Sequence, residues 1–186
     1  MSLRQLPEIR AERRLGAAQF DMRPDALERW EPEVRAASSG DNVISIYDVI
    51  GENWEGTGVT TKRVSAALRS IGEREVVVNI NSPGGDFFEG VAIYNLLREH
   101  RAKVTVQVMG LAASAASVIA MAGDEILMGE GAFLMIHNAW AVAIGNRHDM
   151  AEAARLLAPF DEAMAKVYAT RSGITAAEAA RLMDDE

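Results

Sequence analysis

Three short stretches bring together groups suited to chemistry: "NSPGGD" from Asn81 to Asp86, "GLAASAASVIAMAG" from Gly110 to Gly123, and "FLMIHN" around His137. In the first, a proline followed by two glycines lets the backbone turn tightly and present N–H groups with no Cβ in the way. In the second, Ser114 stands at the expected start of a small-residue helix, where peptide N–H groups lack intrahelical partners and carry partial positive charge. In the third, an imidazole closes an apolar strand. A donor loop, a hydroxyl and an imidazole, met in that order at strand ends, are the parts of an acyl-transfer site: oxyanion donors, nucleophile and general base.

Each stretch also has a plain structural reading. Gly and Pro are the usual residues of a strand-to-helix turn. Ala and Ser let two elements pack closely, and Ser117 has the position of a serine that back-bonds to the preceding turn. His137 can bond a neighbouring carbonyl. Against close packing alone stands the burial given up, roughly 0.8 kcal/mol per missing buried CH2; room for a substrate backbone beside Ser114 accounts for that loss. The other two histidines, His100 in "REHRAK" and His148 in "NRHDM", read as solvated surface.

The elements that must position these groups follow from the apolar pattern. From Val43 onward, β-branched runs alternate with helical stretches: "VISIYDVI", "TTKRVSAALRSIG", "EVVVNI", "FFEGVAIYNLLREH", "KVTVQV", "AASAASVIAMAG", "EILM" and "FLMIHN". Near-continuous Val/Ile runs separated by helices predict β-α-β crossovers, hence an α/β fold with a mainly parallel sheet. The change from "VTVQV" to small residues predicts a turn at Met109-Gly110. After His148, Met150, Ala154, Leu157, Phe160, Met164 and Val167 recur at helical spacing, and Pro159 is expected to kink or interrupt that helix. Gly173 is placed to end it and Thr175 to cap the next. Residues 1–40, rich in Arg, Glu and Pro, read as an N-terminal extension to a domain over 41–186. Phe20, Met22 and Trp30 are its candidate contacts to a neighbouring subunit.

Composition narrows the partners. The chain has 186 residues, which argues for one domain, since the prior is roughly 150 residues per domain. Its 19 Lys and Arg against 27 Asp and Glu give a net charge of −8, which repels phosphate backbones and anionic lipid, so neither nucleic acid nor a membrane is expected as partner. Cysteine is absent, so thiolate nucleophiles, disulfides and cysteine zinc sites are excluded, and a reducing cytoplasm suits the chain. No signal-peptide pattern opens it. Val104 to Gly123 carries no charge over about the length that spans a bilayer. Its Gly, Ala, Ser and Gln content reads instead as strand, turn and helix. No metal or organic cofactor is expected.

The stretch "INSPGGDFFEGVAIYNLL", the motif "GLAAS" and the "MIH" strand end resemble the ClpP peptidases, and more closely the ClpP-like proteases that phages and prophages encode for head maturation. The resemblance spans about Val43 to Glu186. It implies the ClpP/crotonase-like β-α-β spiral with a protruding handle helix, and a serine endopeptidase working through an acyl-enzyme. It implies Ser114 as nucleophile, His137 as base, and the N–H groups of Gly85 and Ala115 as oxyanion donors. It puts the third, acidic member at Glu186, with Asp185 or Asp184 as alternatives, although the family residue is usually Asp. The C-terminal part of the family domain is expected to be absent. The implied partners are a polypeptide substrate, further copies in a ring or stacked rings meeting near Pro159, and an ATPase unfoldase or phage capsid or scaffold proteins.

Other readings share parts of the pattern. A signal-peptide-peptidase-like protease would use a lysine base, from Lys62, Lys103 or Lys166. A crotonase relative would handle acyl-CoA. A catalytically silent assembly subunit would need no working site.

Overall fold

The computed structural model describes residues 42–52 and 57–185. The extension, with Phe20, Met22 and Trp30, and the C-terminal Glu186 lie outside the described residues. The elements run β1 (Val43–Ile46), α1 (Thr61–Ile71), β2 (Val76–Ser82), α2 (Phe87–Arg98), β3 (Val104–Ala113), α3 (Ala115–Ala120), β4 (Glu125–Met128), β5 (Phe133–Met135), α4 (Arg147–Ser172) and α5 (Ala176–Asp184). Every strand pairing is parallel, in the order β1-β2-β3-β4, with β5 also on β3. The expected α/β architecture with β-α-β crossovers is therefore present.

Burial alternates along β2 and along the first half of β3. Val76, Val78, Ile80, Val104, Val106 and Val108 are fully buried. Between them, Val77, Asn79, Thr105 and Gln107 are only half-buried. One face of the sheet thus holds the core, packed against Ile93 and Leu97 of α2, Ile119 of α3, Met164 and Tyr168 of α4, and Met183 of α5. In the single chain the other face is only partly covered.

The helix ends follow local chemistry. Thr60, Asp86 and Thr175 each accept a hydrogen bond from an N–H of the first turn they cap. Asn146 and Asp149 form a reciprocal capping box that starts α4. Gly173, at φ 78°, ends α4 in the left-handed conformation.

Four expectations need correction. The strand in "VISIYDVI" stops at Ile46, although Ile50 makes isolated parallel bridges to Val59 and Gly85. The run "FLMIHN" is a strand only to Met135, so His137 follows the strand by two residues.

No turn divides β3 at Met109-Gly110. The strand continues to Ala113 because its second half finds new partners, Leu111, Ala112 and Ala113 pairing with Phe133, Leu134 and Met135. It bulges on the way, since its register against β2 shifts between Ile80 and Ser82. There the Asn81 Oδ1 accepts from the Leu111 N–H at 3.1 Å, a side chain replacing a ladder carbonyl.

Pro159 does not interrupt α4, which is one helix of 26 residues. Proline removes a single i to i−4 hydrogen bond. The turns on either side remain bonded, and Phe160 anchors the helix by edge-to-face contacts with Phe87 and Phe88 at centroid distances of 5.0 and 5.7 Å.

Candidate active site

Ser114 sits where β3 turns into α3, and its backbone is at φ 54°, ψ −127°. Among the described residues it is the one non-glycine with positive φ. Such a conformation costs on the order of 1–3 kcal/mol and persists where surrounding contacts fix it. Those contacts are specific. The Ser114 N–H donates to the Met135 carbonyl at 3.1 Å. Its own carbonyl accepts from the Ser117 N–H at 2.9 Å, the Val118 N–H at 3.3 Å and the Ser117 hydroxyl at 2.6 Å. The Ser114 side chain makes no capping hydrogen bond to the helix it begins. The effect is a sharp strand-to-helix elbow that lifts one half-buried hydroxyl at a strand end.

His137 is brought to the same end by the sheet. Ala113 and Met135 are paired residues of the adjacent parallel strands β3 and β5, which lie about 4.8 Å apart. Ser114 follows the first and His137 the second at a spacing of two. The imidazole is buried, at 7% exposure. The segment beyond it is held by two carboxylates: Asp161 of α4 accepts from the Ala139 N–H, and Asp184 of α5 from the Asn138 amide, each at 2.6 Å. Of the remaining histidines, His148 is exposed as expected. His100 is half-buried, with Nε2 2.7 Å from the Arg74 carbonyl, which gives it a structural bond rather than a purely solvated position.

The "PGG" loop is clamped from the β1 side. The Ile50 N–H donates to the Gly84 carbonyl and the Asp86 N–H to the Ile50 carbonyl, both at 2.8 Å. In a parallel bridge of this kind the residue between the two bonds points its own N–H away from the partner. Gly85 is that residue, and it is exposed. The Ser82 hydroxyl ties the loop further, donating to the Asp48 carbonyl at 2.7 Å and accepting from the Gly84 N–H at 3.2 Å.

Gly84 makes the closest approach to the elbow. A Cβ built on it would stand 2.6 Å from both the Ala113 carbonyl oxygen and the Ser114 Cβ, and 3.0 Å from the Ala115 nitrogen. Gly84 was not among the residues singled out from the sequence. The two adjacent glycines marked a tight turn, and nothing in the sequence says which of them touches a residue thirty positions on. Asn81 and Tyr168 were missed as parts of the site for the same reason.

The small residues around Ser114 turn out to serve packing. Ala115 to Ala120 are all buried. A Cβ on Gly90 of α2 would come within 2.9 Å of the Ala115 Cβ, so α2 and α3 cross closely. The expectation that these residues clear space for a substrate is corrected in that respect. Ala115, the first residue of α3, still lacks a preceding helical turn to donate into.

The candidate acids divide. Asp184 bonds Asn138, next to His137, and Asp185 pairs with Arg181 at 2.9 Å. Among the lysines, Lys62 and Lys166 are exposed. Lys103 pairs with Glu125 at 2.7 Å at the opposite end of β3, which holds its ammonium above the usual lysine range. Beneath the elbow, Tyr168 of α4 is buried, and its hydroxyl lies 2.8 Å from that of Ser117. Burial pushes the phenol up to about 12. Among the described residues no helix is long and apolar enough to cross a membrane, and no three His, Asp or Glu side chains cluster as a metal site.

Comparison with known proteins gives one family. The sequence model described as Clp protease matches residues 43–186. The ATP-dependent Clp protease proteolytic subunit of Deinococcus radiodurans is 33% identical over 98 residues, covering 52% of this chain and 48% of that protein. The subunit of the same name from Pleurastrum terricola is 32% identical over 113 residues, 60% of this chain and 58% of that one. The matched stretches thus span about half the length of these curated relatives. A solved structure of a ClpP1 variant from Listeria monocytogenes superposes with a TM-score of 0.63 over 76% of this chain and 78% of that one, at 20% identity. That likeness establishes a ClpP-like fold.

Proposed function

Since the chain belongs to the Clp protease family, we propose that it is a serine endopeptidase, with Ser114 as nucleophile, His137 as general base, and the Gly85 and Ala115 N–H groups as oxyanion donors. The observation that carries this reading is the Ser114 elbow, a strained non-glycine residue on the strand end beside the one that leads to His137.

In this mechanism the Ser114 Oγ attacks the scissile carbonyl carbon while His137 takes the hydroxyl proton. The carbonyl oxygen becomes an oxyanion held by the two N–H groups. The C–N bond then breaks and the leaving amine receives the proton from His137, leaving an acyl-enzyme. Water, deprotonated by the same imidazole, attacks the ester, and the carboxylic product leaves with Ser114 restored. Glu186 is the proposed acid that orients the imidazole. Favouring it, Asp184 and Asp185 are both engaged by other side chains.

Exposed apolar side chains support assembly into a homo-oligomer. Phe133 is 70% exposed, Ile144 68% and Trp140 65%, close together along β5 and the loop after it. The resemblance to phage and prophage enzymes supports a head protein as substrate, and an ATPase unfoldase remains the alternative partner.

The test is hydrolysis of a short fluorogenic peptide. The parent should cleave it, and Ser114→Ala and His137→Gln should each lose roughly 10³-fold or more in kcat/KM. Cleavage that survives Ser114→Ala would overturn the reading. Turnover of an acyl-CoA but not the peptide would favour the crotonase alternative.

A further inference from the structure

A buried hydroxyl relay runs from the long helix α4 to the peptide of Ser114. Ser117 is fully buried, and its one hydroxyl proton is directed at the Ser114 carbonyl oxygen, 2.6 Å away, an atom that can only accept. The Ser117 oxygen therefore accepts from its other neighbour. That neighbour is the Tyr168 hydroxyl at 2.8 Å, so Tyr168 donates to Ser117, which donates to Ser114. The order is fixed by the carbonyl.

The relay ends on the carbonyl that precedes the Ala115 N–H, so it grips the peptide plane between Ser114 and Ala115. Orienting this plane sets both the ψ angle of Ser114 and the direction of the Ala115 N–H. Helix α3 has only six residues, and to the two N–H bonds that it gives the carbonyl of its strained N-cap, from Ser117 and Val118, the relay adds a third and shorter one. Tyr168 is anchored within α4, where its neighbours Met164 and Ala165 are also buried.

We propose that Tyr168 is a positioning residue for the nucleophile: through Ser117 it holds the Ser114–Ala115 peptide in the orientation that presents the Ser114 hydroxyl and the Ala115 N–H to the same carbonyl. This rests on the peptidase reading above, and it assigns to helix α4 a part in acylation that packing alone would not give it. A purely structural Tyr168 would lower stability when altered and leave the chemical step unchanged.

Tyr168→Phe and Ser117→Ala each cut the relay while keeping most of the packing. The experiment measures second-order labelling by a fluorophosphonate, peptide kcat and KM, and thermal unfolding, for the parent, both variants and the double variant. A misplaced peptide plane should slow labelling and lower kcat about tenfold or more in each single variant, with KM little changed. Because both substitutions break one chain, the double variant should be no slower than Ser117→Ala. Labelling and kcat within twofold of the parent in folded single variants would overturn the proposal, as would losses that multiply in the double variant.

If the parent itself is inert toward probe and peptide, the peptidase reading fails separately. The positioning claim is then decided by crystals of the double variant. Ser114 leaving positive φ, or splitting between two conformers, supports it; an unchanged elbow refutes it.

Discussion

The position a Cβ would take on Gly84 lies 2.6 Å from the Cβ of Ser114. Backbone of the "PGG" loop and the elbow are therefore in contact with no room for a methyl group. Gly84 is also at φ 95°, where side chains are strained. Gly84→Ala should abolish peptidase activity and lower stability by roughly 2–4 kcal/mol, combining strain with overpacking. Gly131 is the control: its φ is 74° and nothing lies within 4 Å of its Cβ position. Gly131→Ala should cost about 1 kcal/mol, from strain alone. Urea unfolding of both variants checks the difference, and equal losses would mean that the contact with Ser114 has no consequence.

Gly90 tests the close crossing of α2 and α3. In a helix interior Gly→Ala alone would stabilise by about 1 kcal/mol. Here the added methyl would stand 2.9 Å from the Ala115 Cβ, and a contact that short forces a shift. Overpacking of about 1–3 kcal/mol outweighs the propensity gain. Gly90→Ala should therefore be destabilising by denaturant unfolding and slower in acylation, as Ala115 moves. A stabilised, fully active variant would contradict the crossing.

The phenol of Tyr168 makes stability depend on alkaline pH. Its value is pushed up to about 12 in the folded chain by burial, against the ordinary 10. A raised value means the folded protein holds the proton more tightly. The contribution, about 3 kcal/mol at most, is fully present below pH 10 and lost as pH rises from 10 through about 12. Denaturation midpoints across pH 8 to 12 should fall more steeply for the parent than for Tyr168→Phe. Parallel curves would show that this phenol does not titrate as a buried group.

The acid of the proposed triad can be assigned by three isosteric changes. Glu186→Gln should lower kcat by roughly 10²- to 10⁴-fold, since the amide favours the wrong imidazole tautomer. Asp185→Asn breaks the exposed pair with Arg181 and should leave kcat nearly unchanged. Asp184→Asn loses the bond to Asn138 and should slow the reaction only mildly. Peptide kinetics on the three variants separate them, and a severe loss confined to Asp184→Asn would move the assignment.

Legibility in the sequence followed the range of the forces involved. Local signals are legible directly: the Val/Ile runs of β2 and β3, the Thr175 cap, and Gly173 at the end of α4. What depended on pairing between distant segments was misread. Gly110 looks like a strand end until β5 is known to pair with Leu111 to Ala113. Pro159 looks like a break until Phe160 is seen on the Phe87 and Phe88 rings. The site divided similarly. Ser114 and His137 stood out as reactive groups at the ends of apolar runs. Gly84, Asn81 and the Tyr168 relay act only through contacts that the fold creates.

The most direct measurement is mass spectrometry of the intact protein after reaction with a fluorophosphonate, followed by peptide mapping. The account requires a single adduct on Ser114, absent in Ser114→Ala and formed far more slowly in His137→Gln. An adduct on another serine, or labelling that Ser114→Ala does not diminish, would contradict it.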